Sequence, residues 1–160
     1  MCIQEVKWTV QSAREIGDGY TIIHSGGSNK RNGVGVTLDP KMEEAVVDVI
    51  RHNDRLMMVK LVLQRELFNV ISEYAPQTGC TQEEKDSFIV DVEALSRTVK
   101  VDEHIVIGAD MNGQVVCCAG EYDGIHVGHG YENGNDEGRD ILEMAQGLDL
   151  VLVNTCFKKS

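Results

Sequence analysis

The chain has 160 residues, 42% of them hydrophobic and 26% charged, with a formal net charge of −11. That size and mix suit one globular domain with a core of ordinary extent, and no apolar run is long enough to cross a bilayer. The charge is uneven, with nine Lys/Arg against eight Asp/Glu in residues 1–65 and six against eighteen in residues 66–160. This excludes nucleic-acid binding through the overall field, so a polyanion would have to be held by local basic spots and a metal ion.

Met1–Trp8 reads as a short strand with Cys2, Ile3 and Val6 as its apolar members and Glu5 in its middle. A carboxylate in such a strand costs several kcal/mol unless it is paired or metal-bound. Glu5 therefore either faces water or pairs with Lys7 on an edge strand, or it serves a cation. Gly17-Asp18-Gly19 turns into an alternating strand, Tyr20–His24, and residues 26–33 form a polar hairpin connection to Val34–Leu38. Lys30 and Arg31 at its tip are a solvated loop end or a phosphate contact. Val46–Arg51, Leu56–Leu63 and Leu67–Tyr74 follow at meander spacing, with turns at His52-Asn53-Asp54 and Gln64-Arg65-Glu66. Pro76 stops the last ladder and leaves the Tyr74 phenol near the sheet rim.

Thr81-Gln82-Glu83-Glu84 is a capping box. Phe88, Val92, Leu95 and Val99 follow at helical spacing and predict an amphipathic helix of about five turns. Next, the apolar run from Ile105 ends abruptly in Asp110-Met111-Asn112-Gly113. Alternate side chains of an extended segment share a face, so Asp110 and Asn112 are expected side by side at the carboxyl end of a buried strand. Open α/β sheets build their sites there; the plainer reading is a strand running into an Asp/Asn/Gly turn. Residues 113–138 are glycine-rich and aperiodic, a long loop of the kind that is usually functional or mobile. Its His126 and His129 have no cysteine or acid at zinc-ligand spacing. Asn135 or Asp136 caps a second helix, with Ile141, Leu142, Ala145 and Leu148 inward and Gly147 near its end. Leu150–Val153 is expected as a final strand. A β-meander half followed by helix–strand–helix–strand predicts a single α/β domain over residues 1–160, two packed sheets covered by helices. The five scattered cysteines form no Cys-x-x-Cys pair. With no basic-then-apolar leader, they point to free thiols in a reducing compartment, nuclear or cytoplasmic.

Three stretches stand in register: Cys2-Ile3-Gln4-Glu5-Val6-Lys7-Trp8, Ser72-Glu73-Tyr74-Ala75-Pro76-Gln77 and Ile107-Gly108-Ala109-Asp110-Met111-Asn112-Gly113. Their order and spacing resemble the endonuclease/exonuclease/phosphatase superfamily, and within it the endonuclease domain of LINE-type retrotransposons of the RTE and BovB kind. Arg31-Asn32-Gly33-Val34-Gly35-Val36, residues 131–138 and residues 149–159 match as well, so the resemblance covers essentially the whole chain.

The resemblance implies a four-layer α/β/β/α sandwich of the deoxyribonuclease I type, with two mainly antiparallel sheets. It implies Mg²⁺, or Mn²⁺, as cofactor, DNA as partner and phosphodiester hydrolysis as reaction. Carried over by position, Glu5 looks like the metal-holding carboxylate and Tyr74 like the phosphate-contacting tyrosine. Asp110 looks like the carboxylate that positions or deprotonates the attacking water, and Asn112 like its partner in the phosphate pocket. The family's asparagine strand before Gln-Glu and its closing Ser-Asp-His find no match here. The expectation is an incomplete domain with impaired hydrolysis. The alternatives are a non-catalytic remnant with weak metal or partner binding, and a phosphatase of the same superfamily.

Overall fold

Alternating apolar residues become strands through most of the first 110 positions of the computed structural model. The structure describes all residues except 28–30, 117–121, 123, 127, 128, 132 and 158–160. Two compact units are formed by Met1–Asp110 and Met111–Ser160.

The first unit contains two four-stranded sheets. One comprises β1 (Cys2–Gln4), β2 (Ser12–Gly17), β3 (Tyr20–Ser25) and β4 (Val34–Leu38), in the spatial order β1-β4-β3-β2. The other comprises β5 (Val46–Arg51), β6 (Leu56–Leu63), β7 (Glu66–Tyr74) and β8 (His104–Asp110), in chain order across the sheet. All pairings are antiparallel except β7–β8, which is parallel and has α2 (Gln82–Ser96) in its crossover. Parallel neighbours need such a long connection, whereas the antiparallel ones close through tight turns. Gln64 and Arg65, both at positive φ, make the two-residue β6–β7 turn, whose backbone matches the twist of the flanking strands.

Alternation sorts β6 and β7 into two faces. Met57, Val59, Leu61 and Tyr74 pack against Ile23, Val34, Val36 and Leu38 of the first sheet and form the core between the sheets. On the opposite face Leu56, Met58 and Ile71 are fully buried, and Glu73 lies among them, directly across from Leu56. α2 starts at the expected capping box, with Thr81 and Glu84 exchanging hydrogen bonds, and buries Phe88, Val92 and Leu95. Its Asp91 accepts from Asn53 (3.1 Å) and pairs with His52 (3.2 Å), tying the helix to the β5–β6 turn. A short helix, α1 (Pro40–Glu44), is capped by Asp39 and has its proline at the first helical position.

Several expectations are corrected. The first strand is Cys2–Gln4 rather than Met1–Trp8, because Glu5 and Lys7 take left-handed backbone conformations that break the ladder. β8 ends its sheet and is half-exposed rather than buried, with Val106 51% accessible. α2 ends at Ser96, so Val99 lies beyond it. β2 and α1 had no clear periodicity. β2 exists because the Gly17-Asp18-Gly19 turn, at positive φ throughout, folds Ser12–Gly17 onto β3. Lys30 lies outside the described residues.

In the second unit, α3 (Asp136–Gly147) is capped by Asn135, whose side chain accepts from Gly138 N–H (2.9 Å), and it buries Ile141, Leu142, Met144 and Ala145. Gly138 must be glycine, since a Cβ there would meet the Gln114 carbonyl oxygen at 2.0 Å. Leu150–Val153 is no strand. Val153–Thr155 forms a 3₁₀ turn instead, and Val151 and Val153 are exposed. His126 is buried and His129 exposed. No helix among the described residues is long and apolar enough to cross a membrane.

Candidate active site

The site grows from the point where β1 leaves its ladder. Glu5 (φ 55°) and Lys7 (φ 57°) are both left-handed, a conformation costing a non-glycine residue about 1–2 kcal/mol. Pairing to the neighbouring segment nevertheless resumes, with Val6 and Lys7 N–H donating to Gly33 and Asn32 carbonyls at 3.0 Å. The two kinks release Glu5 from strict alternation and aim its carboxylate at the end of β7. There the Tyr74 hydroxyl donates to Glu5 Oε1 at 2.6 Å, and Gln77 Nε2 donates to the same hydroxyl at 2.8 Å.

A glycine allows β1 to approach the second sheet this closely. A Cβ on Gly108 would sit 2.5 Å from both Cβ and Sγ of Cys2, closer than real contacts come. In the space left open, Gln4 Nε2 donates to Gly108 O (3.1 Å) and Ser72 Oγ donates to Ile3 O (3.3 Å). These bonds fix the height of β1 over β7 and β8. Asp110 then falls directly beside Tyr74 in the parallel β7–β8 register, with Ala75 N–H donating to the Asp110 carbonyl at 2.9 Å. Tyr74 is thus the common neighbour of both carboxylates. Its ring is buried while Glu5 and Asp110 are exposed.

Glu5 is held below the usual carboxylate range, first by the Tyr74 hydrogen bond and then by Lys7, whose Nζ lies 3.0 Å from Oε2. The Tyr74 phenol is pushed upward by burial, then by its bond to Glu5, with the Asp110 charge adding to the shift and Gln77 opposing it. The consequence is a protonated, donating phenol beside an ionised carboxylate at neutral pH. Mg²⁺ takes one or two carboxylates and completes its octahedron with waters and phosphate oxygens, so the hard anionic oxygens of Glu5, with Asp110 across Tyr74, fit such a cation. No group of three or more ligating side chains is found among the described residues. Lys7 pairs with Glu5 Oε2, so a cation held by Glu5 would compete with that ion pair.

Of the residues expected from sequence, Glu5, Tyr74 and Asp110 are assembled within the first unit. Asn112 belongs to the second unit and is itself left-handed (φ 49°), so the alternation rule that placed it beside Asp110 does not reach it. Gln77 and Arg55 were missed as supporting residues. Gln77 stands three residues after Tyr74, past a proline, where the exit direction fixed by Pro76 returns its amide to the phenol. Arg55 has no local signal. It reaches Tyr74 across the β6–β7 pairing, donating to the Tyr74 and Ala75 carbonyls at 3.1 and 3.2 Å.

The chain shares its two-sheet fold with solved endonuclease structures. It superposes on the AP endonuclease LMAP from Leishmania major with a TM-score of 0.63, over 92% of this chain and 56% of that one, at 14% identity. The endonuclease domain of TRAS1, a telomere-specific non-LTR retrotransposon, superposes with a TM-score of 0.57 over 83% of this chain and 54% of that one, at 12% identity. In sequence the chain is similar to craniofacial development protein 2. It is 31% identical to the Bos taurus protein over 98% of its own length, and 31% identical to that of Tragulus javanicus over the same share. It spans only about a quarter of these curated relatives, 26% and 27% respectively. No protein-family model matches the chain.

Proposed function

We propose that this chain is a divalent-metal phosphodiesterase acting on nucleic acid, a DNA endonuclease of retrotransposon origin. The supporting observation is the placement of Glu5 and Asp110 on either side of a buried tyrosine whose hydroxyl donates at 2.6 Å. Glu5 would hold Mg²⁺ or Mn²⁺, and the ion supplies charge neutralisation for the pentavalent phosphate. Tyr74, kept protonated by its surroundings, would donate its O–H to a phosphate oxygen. Asp110 orients a water for in-line attack and accepts its proton. The new P–O bond forms as the P–O3′ bond breaks, leaving a 5′-phosphate and, after protonation of the leaving oxygen, a 3′-hydroxyl. Such a 3′ end can prime reverse transcription, in keeping with the proposed origin.

The net charge of −11 gives specific weight to a second reading, a phosphatase whose small substrate needs no polyanion track. Relaxation of supercoiled plasmid separates the two. The expected result is slow nicking that requires Mg²⁺ or Mn²⁺ and disappears in Glu5→Gln and in Asp110→Asn. Metal-independent nicking, or nicking that survives both substitutions, would overturn the nuclease reading. Release of inorganic phosphate from a small monoester without nicking would select the phosphatase.

A further inference from the structure

We propose that Arg55 is a positioning residue for Tyr74, a role that rests on the placement of Tyr74 in the active site. The guanidinium is half-buried and makes no ion pair among the described residues. Its Nη1 serves two backbone carbonyls, Tyr74 O at 3.1 Å and Ala75 O at 3.2 Å. The group also lies over the Tyr74 ring, 5.4 Å from its centroid. The main chain closes the grip, since Tyr74 N–H donates to Arg55 O at 2.9 Å. One residue therefore holds tyrosine's amide, carbonyl and ring face together.

Arg55 is itself anchored. Its N–H donates to Asn53 Oδ1 at 2.8 Å, and Asn53 Nδ2 donates to Asp91 on α2 at 3.1 Å. β7 ends at Tyr74, and the chain turns away at Pro76. The carbonyls of residues 74 and 75 lie where the regular ladder of β7 gives out, and buried or half-buried carbonyls there need donors. The two N–H bonds of Nη1 lie in the fixed guanidinium plane and point at the two acceptors, where an ammonium offers a mobile point charge. Arg55 fixes the strand end from one side, while Glu5 and Gln77 hold the hydroxyl at the other. The phenol then has one height and one tilt, which a group meeting a phosphate requires.

The test uses the full chain labelled with ¹³Cζ-tyrosine. Of its four tyrosines, the Tyr74 resonance is assigned by its loss in Tyr74→Phe. Arg55→Met keeps the apolar stem and removes both N–H donors. It is expected to shift or broaden the Tyr74 resonance while those of Tyr20 and Tyr131 stay in place, and Arg55→Lys should give an intermediate change. Metal-dependent nicking is expected to fall about 10-fold or more in Arg55→Met. In a Tyr74→Phe background the same substitution should cost less than about 2-fold, because the two residues act through one group. An unmoved Tyr74 resonance in a folded variant, or losses that multiply in the double variant, would overturn the proposal. If Arg55→Met does not fold, Arg55→Lys carries the same measurements. A wild-type chain without nicking would sink the active-site reading alone, because the resonance still decides whether Arg55 positions the ring.

Discussion

Replacing Glu73 by methionine should stabilise the first unit and remove a pH dependence from its folding. Glu73 is 1% exposed, lies opposite Leu56 on β6 and Ala109 on β8, and neither carboxyl oxygen has a hydrogen-bond partner among the described residues. Burial alone pushes its carboxyl up to about 8 from the ordinary value of 4.5. The folded state therefore keeps a proton that the unfolded chain gives up. Relative to an unfolded chain ionising near 4.5, this favours the fold fully below that value. The advantage declines as pH rises from there and is gone above about 8. At about 1.36 kcal/mol per pH unit, the window represents up to about 5 kcal/mol, of which about 3 kcal/mol is lost by pH 7. A domain of this size has only about 5–15 kcal/mol in all, so the effect is large. Methionine matches the volume and has nothing to ionise. Urea unfolding of both proteins from pH 5 to 9 should give curves that diverge upward in pH, with the variant about 2–4 kcal/mol more stable at pH 8. Parallel curves, or a variant less stable at pH 8, would show that Glu73 is solvated or paired in the fold and refute the reasoning. Glu5 and Glu103, both held below the usual range, act at acid pH and are common to both proteins.

Gly108→Ala should destabilise by about 1–3 kcal/mol in thermal or urea melts, because the added methyl overlaps Cys2. Cys2→Gly in the same chain should restore part of the loss, whereas an undiminished loss would place the strain elsewhere. Tyr74→Phe should raise the Glu5 ionisation toward the ordinary range by deleting its strongest stabilising hydrogen bond, which NMR titration of the ¹³C-labelled carboxyl would follow. Glu5 favours the fold above its unfolded ionisation and loses that contribution as pH falls through its depressed folded one. The variant should consequently lose it at a higher pH than the wild type, and an unchanged Glu5 titration would contradict the bond.

Sequence by itself determined the elements whose signals are local. The capping box Thr81–Glu84, the β5–β7 meander with its turns, the Asn135 cap and the strand ending at Asp110 all depend on neighbours within a few residues. The same local order made Tyr74 and Asp110 candidates through their positions at strand ends, and Glu5 through its charge inside an apolar stretch. Tertiary structure alone decided what those ends do. Glu5 reaches Tyr74 because two left-handed residues break β1 and because Gly108 lets Cys2 through, contacts separated by 69 and 106 positions in the chain. Ser12–Gly17 becomes a strand only by pairing with β3, and apolar Leu150–Val153 does not become one, because its amides are taken by carbonyls outside any sheet, Leu150 N–H by Ala145 and Leu152 N–H by Ile125, both at 2.9 Å. The grip of Arg55 on Tyr74 and the buried Glu73 carboxyl likewise follow from β6–β7 register and packing, which no window along the chain encodes.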